Sequence, residues 1–154
     1  MTAQPTMLEP TIDDVPELRV RVLGDPVPQG SMRAFVIRGH ANVVPDNGPA
    51  LKRWRADVTA AATLAMRANT WVTLDVACRV DLWFLLPRPK SAPRSRTHPD
   101  RKPDLDKLQR ACLDALTTAR VYTDDARAVT ITAGKRYATT DEQPGALIII
   151  RPTS

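Results

Sequence analysis

Asp75-Val-Ala-Cys-Arg-Val-Asp-Leu-Trp-Phe-Leu-Leu86 holds the clearest alternation in the chain. Val76, Cys78, Val80, Leu82, Phe84 and Leu86 recur every second residue with Asp75, Arg79 and Asp81 between them, the period of a strand with one face in a core. On its C-terminal side, Leu105, Leu108, Cys112 and Leu116 recur at helical spacing and predict a helix over 105–118. On its N-terminal side, Pro49 suits a first helical turn, and Leu51, Trp54, Val58, Ala61, Ala62 and Ala65 predict an amphipathic helix over 49–67. Further strands are expected at 18–23, 33–38, 129–137 and 146–151, with 40–44 as a hairpin return. Strands on either side of two well-spaced helices predict an α+β fold, a single mixed β-sheet with two main helices packed against it.

The 154 residues fit one domain, expected over 18–154. Residues 1–17 carry Glu9, Asp13, Asp14 and Glu17 with no Lys or Arg, and Pro at 5, 10 and 16, so they are expected to form a disordered acidic tail. An acidic start is the reverse of a signal peptide's basic one, and a cytoplasmic location is expected. The longest run free of Asp, Glu, Lys and Arg is Val58 to Met66, far short of the roughly 20 apolar residues that span a bilayer. Cys78 and Cys112 are too few for a disulfide framework, and no Cys/His grouping has zinc-ligand spacing.

Net charge is +5, unevenly spread. The segment 87–102 holds six Lys or Arg, one Asp and four Pro. It is expected to be a basic mobile loop leading into the most acidic motif of the chain, as a clamp on a phosphate backbone would. A solvated linker is the plainer reading of the same residues.

That motif is Arg101-Lys-Pro-Asp-Leu-Asp-Lys-Leu-Gln-Arg110, followed by Tyr122-Thr-Asp-Asp-Ala126. Pro103 bars the residue before it from helical geometry, so Asp104 should lie in extended chain just ahead of the helix, with Asp106 on the same side. Arg110, one turn after Asp106, sets a fixed cation beside the pair. Asp124 and Asp125 follow the helix, which spans about 18 Å from 106 to 118, so they return to its start only if a strand runs back alongside. Grouped carboxylates repel, and Mg²⁺ relieves that with oxygen ligands from protein and substrate phosphate. Such an ion polarises a phosphodiester and orients a water nucleophile, while Arg110 offsets charge in the transition state. A helix cap at Asp-x-Asp and a turn at Asp-Asp are the structural alternatives.

These residues resemble the RusA family of Holliday-junction resolvases. The resemblance rests on Lys102-Pro-Asp-Leu-Asp106 with Leu108, on Asp114-Ala-Leu116 and on Asp124-Asp125 at the family's spacing. The opening Gly24-Asp-Pro-Val-Pro-Gln-Gly-Ser-Met-Arg33 is similar to phage members. The resemblance implies a homodimeric, Mg²⁺-dependent endonuclease, with Mn²⁺ as a possible substitute, that resolves branched DNA at four-way junctions. It carries three essential, metal-binding aspartates onto Asp104, Asp106 and Asp125. Lys107 stands where the family usually has Asn, and Arg110 where many members have a catalytic Lys. Arg33, Arg94, Arg96, Arg101, Lys102, Lys107 and Lys135 are the expected DNA contacts. No membrane and no small-molecule cofactor is expected. The alternatives are a non-catalytic basic DNA-binding module and a PD-(D/E)xK-like nuclease. The second lacks the acidic-x-Lys element, Asp125-Ala-Arg127 being the nearest.

Overall fold

A computed structural model of the chain describes the backbone of residues 16–30, 32–45 and 48–153, and the side chains of these outside 32–37 and 41–45. The first strand, β1 (Leu18–Leu23), buries Leu18, Val20 and Val22 and turns Arg19, Arg21 and Leu23 outward, as a two-residue period requires. It is followed by β2 (Met32–Ile37), β3 (His40–Pro45), helix α1 (Gly48–Ala68), β4 (Cys78–Leu86), helix α2 (Leu105–Thr118), one 3-10 turn (Asp125–Arg127), β5 (Ala128–Tyr137) and β6 (Gly145–Pro152). The main sheet is mixed, in the order β1-β6-β4-β5, while β2 and β3 form a separate two-stranded hairpin. The fold is α+β, as the periodicities predicted. The acidic segment 1–15 lies outside the described residues, and Glu17 is paired with Arg19 and with Arg151 of β6.

Both helices pack on one face of the sheet. The core between them holds Leu51, Trp54 and Val58 of α1, Leu108, Cys112 and Leu116 of α2, and Val80, Leu82 and Phe84 of β4. Burial pushes the Cys112 thiol up to about 12 and raises that of Cys78, so both sulfurs are inert core groups. No described helix is long and apolar enough to cross a membrane.

The central strand starts later than its alternation predicts. The pairing of β4 begins at Cys78 with a register shift before Arg79, because the preceding residues are engaged elsewhere. Leu74 bridges to Tyr122, and Asp75 accepts from Arg127 Nη2 at 2.7 Å and from Thr123 Oγ1 at 3.0 Å. The outer face of β4 is less polar than expected: Asp81 is buried against Arg79 Nε at 3.0 Å, and half-exposed Trp83 follows. Trp83 lies across Gly134, where an added Cβ would come within 2.8 Å of its ring, so only glycine fits.

Strands β4 and β5 are parallel, which demands a crossover, and α2 is that crossover. Helix α2 and β5 therefore run in opposite directions. This topological fact sets the relative placement of Asp104, Asp106, Arg110, Asp125 and Lys135.

Candidate active site

Asp104 occupies the N-cap position of α2 with extended backbone, φ −69° and ψ 135°, the geometry of an N-cap residue; Pro103 restricts Lys102 before it and not Asp104 after it. Its carbonyl accepts from Leu108 N–H at 3.1 Å, but its carboxylate makes no capping bond. A capping role thus does not explain this aspartate. The side chain is half exposed, with Lys107 Nζ 3.7 Å from Oδ2. Asp106 follows, exposed, in the first helical turn, where the dipole favours negative charge, and Arg110 stands exposed one turn later.

The Asp-Asp pair divides into two roles. Asp124 caps the 3-10 turn: its Oδ1 accepts from Ala126 N–H at 2.9 Å, and this bond, with the carboxyl of Asp125, holds Asp124 below the usual carboxylate range. For this residue the turn reading is correct. Asp125 is exposed, and its carboxyl is raised by the hydrogen-bonded Asp124, by partial burial and by the charges of Asp124 and Asp114. Asp114 in turn lies 3.9 Å from Arg55 Nη2 of α1. Arg127, the nearest equivalent of the PD-(D/E)xK lysine, is committed to Asp75, which speaks against that alternative.

A strand does run back alongside α2, but it starts after Asp125. The residue it delivers to the beginning of the helix is Lys135, whose Nζ donates to the carbonyls of Arg101 and Pro103, each at 2.8 Å. Asp125 precedes β5, which begins pairing at the start of β4, and so lies toward the far end of α2, where it feels the charge of Asp114, eight residues or about 12 Å along the helix from Asp106. Seven residues of β5, about 23 Å, separate Ala128 from Lys135. The chain thus brings Asp104, Asp106, Lys107 and Arg110 together and leaves Asp125 at the other end of α2. Among the described residues no three Asp, Glu, His or Cys side chains meet as a metal-holding group. The described residues of one chain do not by themselves form a three-carboxylate metal site.

The basic segment 87–102 has no regular structure, yet it is tied in place. Arg88 donates to the carbonyls of Arg96 at 2.9 Å and Pro93 at 2.7 Å, and its guanidinium sits 5.3 Å from the Tyr137 ring centroid. Arg96 lies 3.8 Å and Arg101 3.7 Å from Asp100, while Arg94 and Lys102 are exposed. Arg33 lies on β2, its side chain outside those described.

Two residues escaped the sequence reading. Arg88 stands between two prolines with nothing to mark it as the pin of its loop. Gln29 donates its backbone N–H to the Lys107 carbonyl at 2.9 Å, tying the loop over 24–30 to the first turn of α2. The Pro and Gly of that loop signal a turn but not its destination.

Residues 24–151 match the family model described as Endodeoxyribonuclease RusA. No curated protein matches the chain.

Proposed function

Because the chain belongs to the RusA family of endodeoxyribonucleases, we propose that it is a Mg²⁺-dependent, structure-selective endonuclease that resolves four-way (Holliday) junctions by paired phosphodiester hydrolysis. The observation that carries this reading is Asp104: an aspartate at an N-cap that does no capping, its carboxylate exposed two residues before the equally exposed Asp106, which has Arg110 one helical turn on. A structural aspartate would use the orphan amides below it.

The working unit on this reading is a homodimer. A four-way junction offers two equivalent strands, and a twofold enzyme presents two identical sites to them. The dimer also answers the separation of the acids: Asp104 and Asp106 of one protomer would be joined by Asp125 of a second copy. The electrostatics support this arrangement. Lys107, Arg110 and Lys135 lie at the start of α2, whereas Asp114, Asp124 and Asp125 lie near its end with Arg55 and Arg127 offsetting part of their charge, so the first end is the more basic and the second the more acidic.

Within such a site Arg110 offsets the charge that builds on phosphate oxygens, as a fixed cation and not as a proton carrier, and Lys107 adds a second positive charge. Arg94 and Lys102 meet the sugar-phosphate backbone, which gives affinity without sequence preference. Hydrolysis joins a water oxygen to phosphorus and breaks one ester bond on each of two strands.

The test is a labelled synthetic four-way junction incubated with the protein in Mg²⁺ or in chelator. Paired, symmetric nicks with Mg²⁺ and none with chelator are expected. Salt-sensitive binding without cleavage would make the chain a DNA-binding module instead.

A further inference from the structure

We infer that Lys135 is a positioning residue of the active site: its ammonium clamps the backbone on either side of the Lys102–Pro103 peptide and thereby fixes Asp104, in place of the phosphate contact its sequence position suggests. The inference rests on the reading of Asp104 given above.

Lys135 pairs in parallel register with Phe84, which is fully buried on the helix-covered face, so the lysine leaves the sheet on that same face. Ile131 and Ala133 precede it there and pack against the core. Lys135 is the point at which this face of β5 passes from core to rim. An ammonium has three N–H donors, and two of them are spent on the carbonyls of Arg101 and Pro103, both at 2.8 Å.

The choice of carbonyls matters. Residues 101–103 belong to no helix or strand, so no ladder orients them. The Pro103 carbonyl belongs to the peptide unit whose nitrogen is that of Asp104. Holding this oxygen fixes the peptide plane on the N-terminal side of Asp104, and the bond from Leu108 N–H to the Asp104 carbonyl fixes the plane on its C-terminal side. With both planes set, the carboxylate is free to move only about its side-chain torsions. A charged donor suits this work because its hydrogen bonds are about twice as strong as neutral ones. Positioning of this kind is catalytically valuable, since a displacement of about 1 Å at a reacting group costs on the order of 100-fold in rate.

The test compares Lys135→Met and Lys135→Arg with the unaltered protein in one assay, single-turnover cleavage of a four-way junction at saturating protein. Junction affinity is measured alongside in chelator over a range of salt. The inference expects Lys135→Met to slow cleavage on the order of 10- to 100-fold and to raise the Mg²⁺ concentration for half-maximal rate. Junction affinity and its salt dependence should stay unchanged, and Lys135→Arg should recover most of the rate. In NMR spectra without DNA or metal, the amide resonance of Asp104 should move in Lys135→Met, a readout independent of activity and available even if the variant is less stable. A Lys135→Met protein that cleaves at the original rate, or one that loses affinity with a salt slope shallower by about one while keeping its rate at saturation, would overturn the inference. Failure of the unaltered protein to cleave any junction would instead remove the reading on which it rests.

Discussion

The two ends of α2 carry the same residue type in opposite company. At its start, Asp104 and Asp106 sit among Lys107, Arg110 and the clamping Lys135. Near its end, Asp125 faces two further carboxylates, Asp124 and Asp114, and is pushed toward its protonated form. A carboxylate among cations is ready to meet an anionic backbone without further help, whereas one among carboxylates is relieved only by a proton or a cation from outside. At the second end Arg55 answers Asp114, but the first end holds the denser group of cations.

The largest effects should come from neutralising either end. Asp104→Asn, Asp106→Asn and Asp125→Asn are each expected to reduce junction cleavage by on the order of 100-fold or more while binding persists. Quantitative gels for rate and mobility shifts in chelator measure the two separately. Full activity in any of the three would detach that carboxylate from the site. Asp124→Asn sharpens the contrast within the pair: asparagine keeps the cap on the 3-10 turn, so cleavage should survive, although Asp124 adjoins the proposed metal ligand Asp125. A loss as deep as that of Asp125→Asn would reverse the roles assigned here.

A smaller effect separates the exposed from the tethered cations of the basic segment. Arg94→Ala should weaken junction binding to a similar degree on any sequence and lower the slope of log affinity against log salt by about one. Arg88→Ala should instead loosen the loop, visible as faster amide exchange over 88–96, because its guanidinium holds two carbonyls and the Tyr137 ring.

The smallest effect lies away from both ends. The bidentate Arg136 guanidinium and the Thr139 N–H hold Glu142 down to about 2, below its usual 4.5. A depressed acid stabilises the fold above its unfolded value and loses that contribution as pH falls toward the folded one. Stability should therefore drop between about pH 4.5 and pH 2 more in the unaltered protein than in Glu142→Gln, as thermal melts across that window would reveal.

Much of this arrangement is legible in the sequence alone. The two-residue period of Val80, Leu82 and Phe84 and the helical stripe of Leu108, Cys112 and Leu116 report burial directly, and both elements were read to within a few residues. The extended backbone of Asp104 follows from its place as the residue that opens α2. What the pattern did not carry was direction. Short-range spacing says that a strand returns beside α2, but which of its residues meets the helix start depends on where pairing with β4 begins. That beginning is set by long-range contacts of Leu74 and Asp75 with Tyr122, Thr123 and Arg127. Lys135 thus occupies the place that a reading of order alone assigned to Asp125. The role of Arg88 was hidden for a similar reason, since its partners are backbone carbonyls, which every residue has.

The central claim is that each active site is shared between two chains. Co-expression of Asp104→Asn and Asp125→Asn proteins, each inactive alone, tests it most directly. In the mixed dimer one site combines both substitutions, while the other combines an intact Asp104 with an intact Asp125. Nicking of one strand of the junction by the mixture is the predicted result; a mixture as inert as either parent would place all three carboxylates in one chain and contradict the account.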